Sequence, residues 1–355
     1  MDVGLQFHLP SHPGLGVPRM VELARAAADG GIGQIWITDN LRSRNAFVVL
    51  AALAASGLPT KLGTAIMVQY FRNPVDAADA LAAITELMSG DELSVGIGRG
   101  NVRTPRFVET PRPLSMLRET ARALRVLFAG QELEADDHPA LAEYFHYAPG
   151  ARFRLAFAPA TPVRLLCGGD GPKSLAIGGE CMDGLLCGTT FRPIAAMGHL
   201  DAQLRIFDDA AASAGRDGLT TKVAEIKISL SRDASVSRAF ARRGVGSRVL
   251  GLRWRGFGAE DIARLGISVA DIDRLERRKE TTGGTSEELA DLVTDAMIDA
   301  FYVAGDLGYC RERVVEIGEL AEAHGIGQIL FSGISPDVAE GIELLCDEIV
   351  PVLVS

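Results

Sequence analysis

The chain has 355 residues, 47% apolar and 23% charged, with a formal net charge of −10. This is the make-up of a folded protein with a sizeable core, and its acidic balance argues against a nucleic-acid surface, where clustered Lys and Arg must meet phosphate. No apolar run reaches the roughly 20 residues that cross a bilayer, no secretion leader is read, and five scattered cysteines without a C-x-x-C pair speak against disulfides or zinc, so a cytoplasmic protein acting on a small molecule is expected.

In chain order, Val3–His8 reads as a strand followed by the loop Pro10–Gly16. Val17–Asp29 carries apolar residues at helical spacing and stops at Gly30-Gly31. Gly33–Thr38 is a strand ending on Asp39-Asn40, Ala46–Ala55 a helix, Lys61–Val68 a strand and Pro74–Met88 a helix. Leu93–Ile97 is a strand that runs into Gly98-Arg99-Gly100-Asn101, and Leu114–Phe128 is a helix. Residues 131–162, with four prolines, read as an insertion holding a short hairpin around Tyr144–Phe157. Val163–Cys167 leads into Gly168-Gly169-Asp170-Gly171-Pro172-Lys173 and the short helix Ser174–Gly179. Gly184–Cys187 is a strand, Ile194–Ala214 a long helix and Lys222–Leu230 a strand. Residues 234–300 are helix-rich and uneven, with a loop at Thr281–Thr285, and form a second insertion. A helix at Arg311–Ala323, a strand at Gln328–Ser332 and a helix at Pro336–Leu353 close the chain.

Strands alternating with helices of this length pair in parallel. Eight of them in one chain fit a (β/α)8 TIM barrel with insertions, a single domain over residues 1–355, better than an open sheet. The stretch Gly31-Ile32-Gly33-Gln34-Ile35 recurs as Gly325-Ile326-Gly327-Gln328-Ile329, an echo that either reflects barrel symmetry or a common helix-to-strand turn.

In such folds ligands sit at the carboxyl ends of the strands. Asp39 there accepts hydrogen bonds from a ligand or caps the next turn. At Gly98-Arg99-Gly100 the glycines admit a planar ring or a phosphate and the guanidinium meets an anion, or the segment is a tight turn with a solvated Arg. The Gly168–Lys173 turn presents backbone N–H groups and a helix N-terminus, with Pro172 in the first helical turn, as a phosphate would require. It has neither Walker nor dinucleotide spacing. Metal-binding and nucleophile motifs are absent and few titrating groups stand at the strand ends, which suits chemistry carried by an organic cofactor.

Trp36-Ile37-Thr38-Asp39, Leu62-Gly63-Thr64-Ala65-Ile66, Arg72-Asn73-Pro74, Thr85–Gly90 and Gly96-Ile97-Gly98 together resemble the luciferase-like flavin and deazaflavin oxidoreductases. Ala176–Glu180 with Asp183-Gly184, and Asp295–Phe301 with Val303-Ala304-Gly305, continue the resemblance, which is nearest to the methylenetetrahydromethanopterin reductases. It implies a bacterial luciferase-like TIM barrel, a homodimer, and coenzyme F420 as cofactor with FMN as the alternative. It also implies a bulge in the third strand, with a non-prolyl cis peptide matching Ala65–Ile66, behind the cofactor ring. The cofactor-binding positions are then Asp39, Ala65, Ile66, Val68, Gly98, Arg99, Gly100, Gly168, Gly169, Gly171, Pro172, Lys173, Cys187 and Gly188. Gln6 and Asn40 orient the substrate. Where sugar-phosphate dehydrogenases of the family have His and Glu, this chain has Asn40 and Asn101, and where the pterin reductases have an acid in the first strand it has Gln6. The expected reaction is hydride transfer to an already activated C=N or C=C bond. An FMN-dependent monooxygenase and a barrel that binds a ligand without turnover are the alternatives.

Overall fold

The computed structural model describes residues 1–90, 92–100, 104–216, 218, 220–282 and 287–354. The chain divides into two compact units. One comprises Gly4–Leu186 and Gln203–Val223, the other Met1–Val3, Cys187–Ala202 and Ala224–Ser355.

The first unit is built on parallel strands in the order β1 (Asp2–Phe7, contributing from Gly4), β2 (Gln34–Ile37), β3 (Lys61–Val68), β4 (Leu93–Gly98), β7 (Val163–Cys167) and β8 (Gly184–Cys187, contributing to Leu186). The short strands β5 (Leu133–Glu134) and β6 (Arg152–Phe153) form a separate antiparallel pair. Registers such as Gly4↔Gln34, Gln34↔Lys61 and Leu93↔Val163 align the strands so that their carboxyl ends lie together. The connecting helices follow from their patterning. Val17–Asp29 buries Met20, Leu23, Ala24 and Ala27, three to four residues apart, and the chain turns back at Gly31 with φ 93°. Asn45 caps Ala46–Ala55 by accepting from the amides of Phe47 and Val48, and Asn73 caps Pro74–Leu87 by accepting from that of Val75.

Strand β3 is irregular. Its pairing with β4 shifts between Thr64 and Met67, and the Ala65–Ile66 peptide is cis. The Ile66 side chain projects into a recess whose walls are glycines. A Cβ placed at Gly96 would come within 3.0 Å of Ile66 Cγ2, at Gly98 within 2.6 Å of Cδ1, and at Gly168 within 2.6 Å of Cγ2. Strand β4 and the turn after β7 thus close around one side chain of β3 because three residues have none.

The edge of this unit is tied by Asp183, just before β8. Its Oδ2 accepts from the Leu165 amide at 2.9 Å, and its Oδ1 accepts from Arg125 at 2.9 Å and Arg216 at 2.8 Å. The same guanidinium groups reach the carbonyls of Cys181 and Met182. Burial pushes the Asp183 carboxyl up, but the Leu165 amide and the two arginines outweigh it and hold it below its ordinary 3.8.

In the second unit, β9 (Thr221–Ser229, contributing from Ala224) runs beside β10 (Tyr302–Ala304) and β11 (Gln328–Ser332), with Tyr302↔Lys227, Val303↔Ile228 and Ala304↔Ser229 in parallel register. The helices Ala234–Trp254, Val269–Thr282, Asp295–Phe301 and Leu307–Ala323 belong to this unit.

The structure departs from the sequence reading in four places. Strand β10 was not read, since three residues between two helices show no periodicity. The expected hairpin at Tyr144–Phe157 is instead the β5–β6 pair. Between those strands lies the helix Pro139–Tyr144, and the aromatic residues pack on one another rather than alternating on strands (Tyr70 to Tyr144, centroids 5.3 Å apart). The helix expected over Ile194–Ala214 is two, Phe191–Ala196 and Leu200–Ser213, parted at Gly198 with φ 82°. The helix expected over Pro336–Leu353 is Val338–Leu344, a widened turn over Leu345–Ile349, and Val350–Val354. Pro351 explains that turn, since it supplies no N–H and its ring crowds the carbonyl four residues back. Of the expected loop at Thr281–Thr285, Thr281 and Thr282 end a helix and the rest lies outside the described residues.

Two stability predictions follow from these contacts. Gly98→Ala should lower stability by ~1–3 kcal/mol, the usual cost of overpacking. Adding Ile66→Val, which deletes the Cδ1 atom in the way, should recover part of that loss in chemical denaturation. Asp183→Asn should cost about 2 kcal/mol at neutral pH by leaving two guanidinium groups without their anion. Because the native carboxyl titrates below 3.8, its stabilisation is complete above that pH and is lost as pH falls through the depressed value. The variant's urea midpoint should therefore fall less steeply than the parent's in that acid range.

Candidate functional site

Beyond β2 the chain emerges at Thr38 and Asp39, and Asp39 is only 5% exposed. Its Oδ2 accepts from the Val68 amide at 3.2 Å and from the Arg72 guanidinium. Arg72 reaches on to Asn45 Oδ1 at 3.3 Å and lies 4.3 Å above the Phe47 ring. The acid therefore clamps the end of β3 and the loop after it. The other oxygen, Oδ1, is buried and has no hydrogen-bond partner among the described residues.

A second open acceptor belongs to a side chain that reaches β3 from β1. Gln6, 3% exposed, donates from Nε2 to the Ala65 carbonyl at 2.6 Å, and its Oε1 is likewise buried without a partner among the described residues. Gln6 and Asp39 thus both engage the irregular part of β3, one at Ala65 and one at Val68, each with one acceptor left over. A buried acceptor without a donor is disfavoured by about 1–3 kcal/mol, so such a pair marks a place where a donor-bearing ligand is stabilised.

The structure brings Gln6, Asp39, Ala65, Ile66, Val68, Gly98 and Gly168 into one connected set of contacts. It also redefines what the glycines do. Gly98 and Gly168, expected to let a ring or phosphate approach, leave their space to Ile66. Gly169 faces Ser174 Cβ, 2.6 Å from where its own Cβ would stand, and Gly100, with φ 85°, is crowded by Thr104 and Val68. Gly171 alone of this group opens onto free space, and it caps the helix Pro172–Cys181 with Pro172 at its first turn. That helix is longer than expected, starting two residues earlier. Lys173 is exposed on it, and Arg99 is half-buried with its charge felt by Tyr70. Asn40 Oδ1 accepts from the Arg42 amide at 2.8 Å, the turn-capping arrangement of an Asx residue. Cys187 and Gly188 belong to the second unit, where Gly188 faces open space and its carbonyl accepts from Phe191. Asn101 lies outside the described residues.

Two groups escaped the sequence reading. Arg72 carries the clamp on Asp39, and Lys227 with Glu225 forms a buried ion pair on β9 at 3.4 Å. The second had a visible signal, since Glu225 and Lys227 interrupt the otherwise apolar run of β9 at the spacing of one strand face.

Comparison with known proteins places this architecture. The model of the luciferase-like monooxygenase family matches residues 3–324. A 5,10-methylenetetrahydromethanopterin reductase of Archaeoglobus fulgidus is 31% identical over 336 residues, spanning 93% of this chain and 94% of its own. One from Methanolobus tindarius is 28% identical over 359 residues, spanning 99% of this chain and all of its own. The structure of the coenzyme F420 dependent tetrahydromethanopterin reductase of Methanopyrus kandleri superposes with a TM-score of 0.73 at 21% identity, covering 99% of this chain and 98% of that one. The shared fold is the (β/α)8 TIM barrel. On this match the chain belongs to the luciferase-like monooxygenase family, and it is an oxidoreductase enzyme of that fold.

Proposed function

We propose that this enzyme is a coenzyme F420-dependent reductase that delivers hydride to a C=N or activated C=C bond of a small molecule. We read its chain as one barrel domain carrying insertions at 131–162 and 234–300. The observation that carries the reading is the pair of buried acceptors, Gln6 Oε1 and Asp39 Oδ1, both belonging to side chains that engage the irregular part of β3 and both without a partner among the described residues. They occur in a chain that spans nearly the full length of reductases whose names state this cofactor or its pterin substrate. A deazaflavin carries ring N–H and ribityl O–H donors and a phosphate, which fits two orphaned acceptors and an open helix N-terminus at Gly171.

When bound, the deazaflavin supplies a hydride and the protein supplies shape and orientation. Asp39 would accept from the cofactor through Oδ1 while Arg72 and the Val68 amide hold its other oxygen still. Ala65 and Ile66 would back the ring, with Ile66 fixed between Gly96, Gly98 and Gly168. The Gly168–Lys173 turn would take the phosphate. Gln6 and Asn40 would offer neutral hydrogen bonds to the substrate, and neither can give up a proton at neutral pH.

Two measurements test this. The parent protein should quench F420 fluorescence on binding and prefer F420 to FMN, whereas the reverse preference would favour the monooxygenase reading. Asp39→Ala should weaken F420 binding by about tenfold or more, the equivalent of ~1.4 kcal/mol. Unchanged affinity would reduce Asp39 to a clamp on β3.

A further inference from the structure

Reduction of a C=N or C=C bond consumes a proton as well as a hydride, and neither Gln6 nor Asn40 can donate one. The first unit, which holds the β3 irregularity, also holds a group that can, at the carboxyl end of β1. Gln6 and His8 are two residues apart and leave the chain on one side, with His8 about 6.6 Å further along. Thr38 donates to the Phe7 carbonyl from its amide and from its hydroxyl, each at 3.4 Å, so β1 stays joined to β2 up to the peptide that leads into His8. Register pairs Gln6 with Trp36 and Trp36 with Gly63. Two residues on, the same face carries His8, Thr38 and Ala65. That is the level of the cis peptide and of the carbonyl to which Gln6 donates. His8 is fixed from both sides, since its neighbours Phe7 and Leu9 are buried and a short turn over Leu9–Ser11 starts directly after it. The imidazole makes no hydrogen bond capping that turn, and the residue is half-buried. The other titrating group of this loop, His12, lies beyond the turn, where its amide donates to the Leu9 carbonyl. In the neighbouring loop after β2, Arg42 lies over the Phe107 ring, Arg44 holds the Pro13 carbonyl and Asp39 is bound by Arg72. The arginines do not release protons, and Asp39 is committed as an acceptor.

We propose that His8, level with Ala65 at the end of β1, is the proton donor of the reduction. The inference rests on the reductase reading above. As the carbon of C=N receives the hydride, its π pair passes to nitrogen. That nitrogen takes a proton from the His8 imidazolium, so one N–H bond breaks and another forms. For an activated C=C bond the hydride goes to the β-carbon, and the α-carbon or the conjugated oxygen takes the proton. His8 is left as a neutral imidazole, and because it is half-buried rather than sealed, solvent returns the proton. Imidazole suits this cycle, since its ordinary titration falls between about pH 5 and 8 and both of its forms are populated at the working pH. Gln6 and His8 then divide the work of one strand face. The amide holds the Ala65 carbonyl, and the imidazole supplies the proton that an amide cannot.

The test compares the full-length protein with His8→Gln and His8→Asn, whose side chains form hydrogen bonds but transfer no proton. Single-turnover oxidation of reduced F420 is followed with 5,10-methylenetetrahydromethanopterin as the C=N probe and 2-cyclohexen-1-one as the C=C probe. F420 binding is measured separately by fluorescence. Both variants should lose about 100-fold or more in rate with F420 affinity unchanged. The parent's rate should fall as pH rises through the imidazole range, about 6 to 8, because only the protonated form donates, and the variants should lack that limb. A structural role for His8 would lower the rate and leave the limb in place. A readout independent of turnover is imidazole NMR: the chain has six histidines, and the His8 signal is the one missing from His8→Gln. That signal should move when F420 is added to the parent protein. Should one variant fail to fold, the other variant and the parent's pH profile decide the matter. Rates within a few-fold of the parent in a folded variant, a limb retained there, a parent rate flat across that range, or a His8 signal unmoved by F420 would overturn the role of His8 alone. A parent protein that does not bind F420, or binds it yet oxidises its reduced form with neither probe, would overturn the reductase reading on which the proposal stands.

Discussion

The carboxylate of Asp39 holds the candidate site together. One of its oxygens takes the Val68 amide and the Arg72 guanidinium, joining the end of β2 to the end of β3 and to the loop that leads into the helix Pro74–Leu87. Arg72 in turn lies over Phe47 and reaches Asn45, the cap of the helix Ala46–Ala55. One buried anion therefore sets the position of two helices and of the β3 irregularity between them. Because burying a charge is tolerated only with paired and hydrogen-bonded partners, the clamp leaves little freedom in where its second oxygen points. That oxygen is the one left open.

The same strand shows how shape is made without polar groups. Ile66 stands out from β3 into space that Gly96, Gly98 and Gly168 do not fill. Glycine motifs are commonly read as places where a ligand approaches the backbone. Here two of the motif glycines serve the protein's own side chain, and only Gly171, capping the helix Pro172–Cys181, faces open space. The aromatic insertion adds rigidity from outside. Tyr144 donates to the Tyr70 carbonyl at 3.3 Å and Tyr147 to Asn73 Oδ1 at 2.6 Å, so the segment after β3 is held at both ends.

The family connects these features to redox chemistry. Solved structures of a reductase, a secondary alcohol dehydrogenase and a monooxygenase share this fold, so the fold alone does not choose the reaction. The two open acceptors that engage β3 are a neutral amide and a clamped carboxylate.

The alternation of strands and helices was legible in the sequence because each helix writes a 3.6-residue apolar stripe and each buried strand a short apolar run between glycines. The barrel fold and the strand-end position of Asp39 could be read in that way, and the family from motifs that resemble it, such as Trp36–Asp39 and Leu62–Ile66. The β10 strand, the break at Gly198 and the turn before Pro351 could not, since they depend on three residues or on one backbone angle. The residues around the site divide similarly. Asp39, Gln6 and the glycine turns carried local signals, whereas the service of Gly98 and Gly168 to Ile66, the clamp by Arg72 and the hydrogen bond from Ser332 to Glu225 join residues from different elements. Sequence specifies which groups are present and the period with which they face inward. Only the tertiary structure decides which of them meet, because hydrogen bonds and ion pairs act over a few ångströms between residues that lie as far as 107 positions apart.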